Sequence, residues 1–358
     1  MKLSKIFLGI ISIIFLLLSV TSCSSSSTNE EVSNLPSNLK VDVEIQGKDS
    51  NNPNGDGTGE IILNFSADNA NSYKINLGNG EIIETSNRTY NYKYSGSGIN
   101  NYDIHVSAYN KDKFISQSKS ITIYVAPGLI WSDEFEGNGA PKSSNWDFDL
   151  GGGGWGNNEV EYYTSRLDNA KVENGFLTIT AKKENYEGAN YTSARLKTQG
   201  KFDFKYGKVE VRAKLPGSGG TWPAIWMLGS NITSVGWPAC GEVDIMEHVG
   251  NNIGRVSSAI HTPSSFGNTQ NVGATNISNV TSEFHVYGIE WTAQKIAFSV
   301  DGNVFYTYSP SEKNDQTWPF DKKQFLILNI ALGGNLGGTI DPEFTQDNME
   351  IDYVRVYQ

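Results

Sequence analysis

Three acids lie close together in the stretch Gly241–His248, which reads GEVDIMEH. Glu242 and Asp244 alternate with apolar residues, and this period of two is typical of a half-buried strand whose alternate residues share a face. Strict alternation would hide Glu247 in the core, where an unpaired carboxylate is unfavourable. One extra residue, a β-bulge at Met246, would return Glu247 to the face of the other two. The spacing therefore predicts three acids on one exposed sheet face.

When carboxyl groups lie this close together, one can act as an acid while another acts as a base or nucleophile. Like charges at this density repel, so one carboxyl should keep its proton near neutral pH. One ionised and one protonated carboxyl are what the hydrolysis of a glycosidic bond needs, and a retaining enzyme holds the two roughly 5–5.5 Å apart. An ordinary strand with a solvated acidic face fits the spacing equally well.

The acidic stretch and its surroundings resemble glycoside hydrolase family 16 in its bulged, laminarinase-like form. The resemblance rests on Glu-x-Asp-x-x-Glu together with TWPAIWMLG at 221–229 and WPACG at 237–241, and it extends from about Leu129 to Gln358. It implies that Glu242 is the nucleophile and Glu247 the acid/base. Asp244 would position and tune the nucleophile.

The same resemblance implies a set of sugar contacts. The loop GGGGWGNNEVEYYT at 151–164 looks like the family's loop at the glycone end of the cleft, and it lacks the Gly-Lys-Ser/Thr of a phosphate loop. The stretch SARLKTQGKFDFKYGKVEVRAK also matches the family. The predicted contacts are Trp155, Asn158, Tyr162, Arg195, Trp222, Trp226, Trp237 and His261. The simpler alternatives are a surface ion pair for Arg195, core packing for the tryptophans and a strand-end position for His261.

No cofactor is expected for catalysis. The four histidines show no metal-ligand spacing, which argues against a catalytic zinc. The resemblance implies a structural calcium ion, held far from the cleft by Glu134, the carbonyl of Gly175 and Asp352. Oxygen ligands suit calcium, although nothing local in the sequence demands a metal.

The N-terminus predicts export and lipid anchoring. Lys2 and Lys5 precede a short apolar run, so residues 1–22 are interpreted as a signal peptide rather than a spanning helix. Cys23 at the cleavage point resembles a bacterial lipobox, and the alternatives are a plain secretory signal or a short membrane anchor. The Ser-rich residues 23–35 would form a flexible tether. This predicts a protein anchored by lipid in the bacterial outer membrane, at the cell surface or in the periplasm.

The remaining chain predicts an all-β protein with two domains. Residues 36–126 alternate apolar and polar side chains between turn signals, which favours an immunoglobulin-like β-sandwich similar to the polycystic-kidney-disease type. That domain would be a spacer or a glycan-binding module. Residues 127–358 have strand patterns without sustained helical periodicity, which favours an antiparallel two-sheet jelly roll of the concanavalin A-like kind. All eight tryptophans lie there, and sugar faces stack on such rings.

Composition and resemblance together predict a monomeric, endo-acting, retaining β-glucanase. The net charge of -11 argues against nucleic acid as a partner and is compatible with a neutral glycan. The expected substrate is β-1,3-glucan of the laminarin type or mixed-linkage β-1,3/1,4-glucan. The alternatives are an endo-hydrolase of agar-type galactans and a non-catalytic surface lipoprotein that binds glycan.

Overall fold

The computed structural model describes residues 35–358. The predicted signal peptide at 1–22, the predicted lipidation site Cys23 and all but the last residue of the predicted tether lie outside the described residues. Within 35–358, no helix has the length and apolar character needed to cross a membrane. The described elements are overwhelmingly β-strands, as the alternating sequence predicts.

The chain divides into two compact units. The first comprises the described residues up to Glu44, together with Ile61–Tyr92 and Asn101–Ile121. The second comprises Ile45–Glu60, Lys93–Asn100 and Thr122–Gln358. Three short segments that the sequence assigned to the first domain therefore group with the second unit. One of them, near Gly57, forms isolated bridges to Val125.

Seven strands form two sheets in the N-terminal part of the chain. They are β1 (Ser37–Ile45), β2 (Glu60–Asp68), β3 (Ser72–Asn76), β4 (Ile82–Thr85), β5 (Thr89–Lys93), β6 (Gly98–Asn110) and β7 (Lys113–Val125). The sheet orders are β1-β2-β5 and β4-β3-β6-β7. Alternate residues such as Leu63, Ile75 and Val106 are fully buried, as period-2 strands require. The immunoglobulin-like assignment stays a prediction.

The remaining strands build two larger sheets. They are β8 (Leu129–Asp133), β9 (Asp147–Asp149), β10 (Glu161–Tyr163), β11 (Ala170–Glu173), β12 (Phe176–Tyr186), β13 (Ala189–Ser193), β14 (Arg195–Lys197), β15 (Gly207–Lys214), β16 (Thr221–Gly229), β17 (Glu242–His248), β18 (Arg255–His261), β19 (Val272–Asn276), β20 (His285–Trp291), β21 (Ile296–Val300), β22 (Asn303–Tyr308), β23 (Gln324–Leu332) and β24 (Gln346–Tyr357). Two four-residue helices, α1 (Ile232–Val235) and α2 (Gly334–Gly337), and a 3-10 turn at Gly250–Asn252 connect them.

These strands form the predicted jelly roll, except that β10 and β13 pair in parallel rather than antiparallel. A ten-stranded sheet has the order β10-β13-β12-β24-β15-β20-β21-β22, with β11 beside β12 and β8 beside β24. A seven-stranded sheet has the order β19-β18-β17-β16-β23-β14-β9. One apolar core includes residues of both sheets, such as Val211 and Val354 from the first and Met227 and Val243 from the second. The other face of the seven-stranded sheet is left for the polar side chains of β17.

The Asp301-Gly302 turn joins β21 to β22 in a tight hairpin. Val300 pairs with Asn303, so the loop has two residues. Both turn residues have positive φ, 51° and 76°. A two-residue hairpin turn of type I′ requires this conformation at both positions, and Asp-Gly adopts it readily.

The tryptophans of the second unit divide into two groups. Trp146, Trp291 and Trp318 are buried in the core, and Trp131 packs against it. The other four, described below, lie around the acids of β17. Core packing therefore explains half of the tryptophan concentration that the sequence analysis attributed to sugar binding.

Candidate active site

Strand β17 contains the β-bulge that its acids predict. Against β18, Asp244 pairs with Ala259 and Glu247 with Ser257, so two residues on β17 oppose one on β18. Against β16, Met246 pairs with Ile225 and the extra residue is Ile245, not Met246 as expected. Ile245 and Met246 are both buried in the core. The extra residue restores Glu247 to the face that carries Glu242 and Asp244, which is called the acidic face below.

Burial and mutual repulsion raise the pKa values of the three acids. The pKa of Glu242 rises to about 8, first because the carboxyl is buried and second because Asp244 lies beside it. Burial also raises the pKa of Asp244 well above its usual range, and the charge of Glu247 adds to the effect. The pKa of Glu247 is raised by burial as well. The cluster therefore retains a proton near neutral pH, which supplies an acid next to a base.

Two indole groups and one histidine surround the acids. Trp222 donates a 3.0 Å hydrogen bond from Nε1 to Oε1 of Glu247, and this bond lowers the pKa of Glu247 against the effect of burial. A hydrogen bond from Trp237 likewise lowers the pKa of Glu242. His261 Nε2 lies 3.6 Å from Oε1 of Glu242 and 3.2 Å from Oδ2 of Asp244.

Trp237 keeps an accessible ring beside this cluster. Its side chain is 45 % exposed, and its centroid lies 6.0 Å from the His261 ring and 5.4 Å from the Phe266 ring. Phe266 is itself exposed and was not singled out from the sequence. An exposed aromatic pair next to paired carboxylates can stack on the flat faces of sugar rings.

Arg195 lies farther along the acidic face, between two tryptophans. The register places Arg195 beside Asn329, Asn329 beside Ala224 and Ala224 beside Glu247. Directly paired residues point to the same side of a sheet, so Arg195 shares the face of the acids. Its guanidinium carbon lies 4.9 Å from the Trp155 ring centroid and 4.6 Å from that of Trp226.

The charge of Arg195 is balanced by Asp149. Nε of Arg195 is 3.0 Å from Oδ2 of Asp149, and Lys197 Nζ is 2.5 Å from the other carboxylate oxygen. The sequence predicts either a sugar contact or a surface ion pair for Arg195. The structure gives it an ion pair with Asp149, because strands β14 and β9 pair the two residues directly.

A buried polar chain supports this part of the acidic face. Trp226 donates a 2.8 Å hydrogen bond to Oδ1 of Asn329, which donates a 3.0 Å bond to the Tyr163 hydroxyl. Tyr163 in turn donates a 2.9 Å bond to Glu159. Burial and the neighbouring Glu159 raise the pKa of Glu161 well above its usual range. The series of hydrogen bonds from Trp226 to Glu159 holds Trp226 in place and connects the loop before β10 to the central strand β23.

Two predicted sugar contacts lie away from the acids. Tyr162 packs edge-on against Tyr186, with 5.3 Å between ring centroids, because alternation along β10 sends Tyr162 and Tyr163 to opposite sides. Asn158 donates a 2.8 Å hydrogen bond to Asn335. Both residues line a groove together with the glycines at 152–154. Trp155, Arg195, Trp222, Trp226, Trp237 and His261 are the predicted contacts that the structure places around the acidic face.

Two of the three predicted calcium ligands, Glu134 and Asp352, are already bound by arginines. Arg355 donates two hydrogen bonds, of 2.9 and 2.8 Å, to the two carboxylate oxygens of Glu134. Asp352 accepts a 2.5 Å hydrogen bond from Arg212. Calcium would have to replace a guanidinium at each carboxylate, so the side chains present do not form a ready donor set. No chemical step below depends on this ion.

Cys240 packs rather than reacts. It is fully buried in a small apolar cluster with Leu228, Phe325 and Ile327. Burial raises the pKa of its thiol to about 11. Because the thiolate is the reactive form, this cysteine stays inert near neutral pH.

His248, at the end of β17, makes the stability of the second unit depend on pH. Its ring is buried, and burial lowers the pKa to about 4 from an ordinary 6.5. Between these two pH values, His248 is protonated in the unfolded protein but neutral in the folded protein. The free energy of unfolding therefore decreases as pH falls from 6.5 towards 4. We expect the melting temperature of the wild type to fall about 5 °C more between pH 7 and pH 5 than that of His248→Gln.

Scanning calorimetry at the two pH values measures this difference. Replacing the exposed His105 by Gln is the matched control, and it should preserve the full wild-type decrease. Equal decreases in the wild type and in His248→Gln would show that the fold does not hold this ring neutral.

The comparisons with known proteins concern the same part of the chain. The model of the family described as glycosyl hydrolases family 16 matches residues 157–355, a range that contains all three acids. A beta-glucanase of Rhodothermus marinus is 47% identical over an alignment of 242 residues, which covers 64% of this chain and 85% of that protein.

Solved structures agree in fold. The laminarinase from Flavobacterium sp. UMI-01 superposes with a TM-score of 0.61 at 48% identity, over 64% of this chain and 100% of that one. A mutant of SCLam, a non-specific endo-beta-1,3(4)-glucanase, superposes with a TM-score of 0.62 at 41% identity, over 65% of this chain and 95% of that one. That mutant was co-crystallized with 1,3-beta-D-cellotriosyl-glucose and presents a 1,3-beta-D-cellobiosyl-glucose at its active site.

Proposed function

Because the chain belongs to glycosyl hydrolases family 16, we propose that it is an endo-acting, retaining β-glucanase. Its substrate is β-1,3-glucan of the laminarin type or mixed-linkage β-1,3/1,4-glucan. The observation that carries the proposal is the bulged strand β17, which brings Glu242, Asp244 and Glu247 to one face with raised pKa values. The names of the Rhodothermus and SCLam proteins support the substrate class.

In the first step, Glu242 and Glu247 act on opposite ends of the bond that breaks. A carboxylate oxygen of Glu242 attacks the anomeric carbon while Glu247 donates its proton to the departing glycosidic oxygen. The C–O bond to the leaving sugar breaks, and a covalent ester joins the remaining sugar to Glu242. The hydrogen bond from Trp222 holds the Glu247 carboxyl in place during this transfer.

In the second step, Glu247 acts as a base. It removes a proton from water, whose oxygen attacks the anomeric carbon and releases Glu242 as a carboxylate. Two displacements at one carbon leave its configuration unchanged. The Trp222 N–H stabilises the ionised Glu247 that exists between the steps, which is consistent with its effect on the pKa of Glu247.

Asp244 tunes the nucleophile from the position between the two glutamates. Its side chain is almost fully buried, and its charge raises the pKa of Glu242. A protonated Asp244 would let Glu242 ionise without adjacent like charge. A charged Asp244 would favour the protonated form of Glu242. The proton on Asp244 therefore decides when Glu242 can attack.

The aromatic residues of the acidic face bind the glucan. Trp155 and Arg195 form one end of this surface, and the exposed ring of Trp237 with His261 forms the other. Trp226 contributes less to sugar binding, since its N–H is bound to Asn329 and Arg195 lies over its ring. Asn158 and Tyr162 would contact only a glucan long enough to reach the neighbouring groove.

The proposals for the rest of the chain rest on the sequence alone. Lipidation at Cys23 would anchor the protein in the bacterial outer membrane, and the Ser-rich tether with the immunoglobulin-like domain would hold the catalytic unit away from that surface. The protein would act as a monomer.

Sizing the products formed from laminarin, lichenan and agarose tests the proposed function. We expect the purified protein to convert laminarin, lichenan or both into a ladder of short oligosaccharides from the earliest times, and to leave agarose intact. Release of a single small product from the start would contradict endo action. Cleavage of agarose alone would assign a galactanase, and binding without any cleavage would assign a glycan-capture protein.

A further inference from the structure

Three potential metal ligands meet on the acidic face. They are one oxygen of Glu242, one oxygen of Asp244 and Nε2 of His261, and these atoms all lie within 4.8 Å of one another. His261 stands opposite Glu242 in the register between β17 and β18. The sequence does not predict this group, because its members come from the two paired strands β17 and β18. The spacing of the histidines along the chain does not indicate it either.

The separations of these atoms suit a tetrahedral ion. Zinc binds nitrogen and carboxylate oxygen at about 2.0–2.2 Å, so tetrahedral geometry places neighbouring ligand atoms roughly 3.3–3.6 Å apart. His261 Nε2 lies 3.2 Å from Asp244 Oδ2 and 3.6 Å from Glu242 Oε1. These two of the three separations are therefore close to those that such an ion requires.

A buried, unsatisfied oxygen also points into this group. Asp244 is only 5 % exposed, and among residues 35–358 its Oδ2 has no hydrogen-bond donor. A buried carboxylate oxygen without a donor is costly, and a bound cation removes that cost. This observation is independent of the acidic character of the cluster.

From this geometry we propose that Glu242, Asp244 and His261 bind a borderline transition-metal dication such as Zn²⁺, and that the bound ion inhibits the enzyme. The ion would occupy the nucleophile, so it would block catalysis rather than assist it. Imidazole selects such metals over Ca²⁺ and Mg²⁺, which prefer oxygen ligands. The inhibition, but not the binding, rests on the proposed function.

The hydrogen bonding of His261 limits the affinity of the site for zinc. A ligating histidine usually donates its second ring N–H to a fixed acceptor, and such partners change metal affinity by about 10–100-fold. Nδ1 of His261 has no hydrogen-bond partner among the described residues. The site should therefore bind zinc reversibly and more weakly than a structural zinc site does.

Titration calorimetry of the purified protein with zinc chloride tests the binding without any substrate. We expect a site that takes up one Zn²⁺ in the wild type, at least a tenfold lower affinity in His261→Asn, and no comparable heat with calcium chloride. Co²⁺ offers a second readout, because a tetrahedral cobalt site absorbs visible light, and that absorption should be lost in His261→Asn. Laminarin oligosaccharide added beforehand should weaken zinc binding.

Matched variants separate this site from other soft ligands of the chain. His105→Gln removes an exposed histidine of the first unit, and Cys240→Ser removes the buried thiol beside β17. Both variants should keep wild-type zinc affinity. Unchanged affinity in His261→Asn, or loss of binding in either control, would overturn the proposed site. If zinc binds as expected while no glucan is cleaved at all, the site stands and the proposed function fails.

Discussion

Replacing Glu242 by Gln should abolish glucan cleavage while leaving oligosaccharide binding nearly intact. Glutamine has almost the shape of glutamate but cannot form the ester to the anomeric carbon, so we expect the rate of cleavage to fall about 10⁴-fold or more. The side chain of Glu242 is only 16 % exposed, and desolvation raises its pKa, so the fold should tolerate a neutral amide there. Reducing ends released from laminarin measure the loss, and titration with laminarin oligosaccharides measures the binding.

Glu350→Gln is the control for removing a carboxylate elsewhere. Glu350 lies on the ten-stranded sheet and is 2.9 Å from Lys214, far in sequence from β17. This variant should keep wild-type activity. Cleavage by Glu242→Gln at the original rate would remove Glu242 from the mechanism, and loss of both cleavage and binding would indicate damage to the acidic face rather than loss of a nucleophile.

The sequence could predict the acidic strand because the relevant rules are local. Alternation places Glu242 and Asp244 on one face, and the cost of burying a charge requires a bulge before Glu247. The bulge lies where this reasoning places it. The identity of the extra residue could not be predicted, because Ile245 and Met246 are both apolar and only pairing with β16 distinguishes them.

The partners of the acids could not be predicted, because they come from other strands. Trp222 reaches Glu247 because Ala224 pairs with Glu247, which makes Trp222 a diagonal neighbour across β16 and β17. His261 reaches Asp244 through the pairing of β17 with β18. Strand order and register decide these contacts, and neither is encoded within a window of a few residues.

The role of Asn329 could have been predicted from the sequence. It is the single amide within the apolar run FLILNIAL, and the strand β23 that contains it is buried along its whole length. A polar side chain in such a strand requires hydrogen-bond partners. Those partners are Trp226 and Tyr163, so the isolated amide indicated a polar network beneath the sugar-binding surface.

Replacing Glu247 should produce a loss that depends on the leaving group. For glucan, whose departing alkoxide needs a proton, we expect Glu247→Ala to lower the rate about 10²–10⁴-fold, the usual contribution of general acid catalysis. Dinitrophenyl β-laminaribioside has a leaving group that departs without a proton. With this substrate, the ester between Glu242 and the sugar should form at a nearly normal rate. The ester should then accumulate because no base activates water. A burst of dinitrophenolate followed by a slow phase would measure this.

Azide provides the deciding comparison between the two glutamates. It needs no base, so it should attack the accumulated ester of Glu247→Ala and restore turnover, with a β-glycosyl azide as product. The corresponding Glu242→Ala variant forms no ester, and azide there would enter the vacated space and give the α-glycosyl azide. Both products follow from the positions of the two carboxylates on one face of β17. A β-azide from Glu242→Ala, or an α-azide from Glu247→Ala, would reverse the assigned roles.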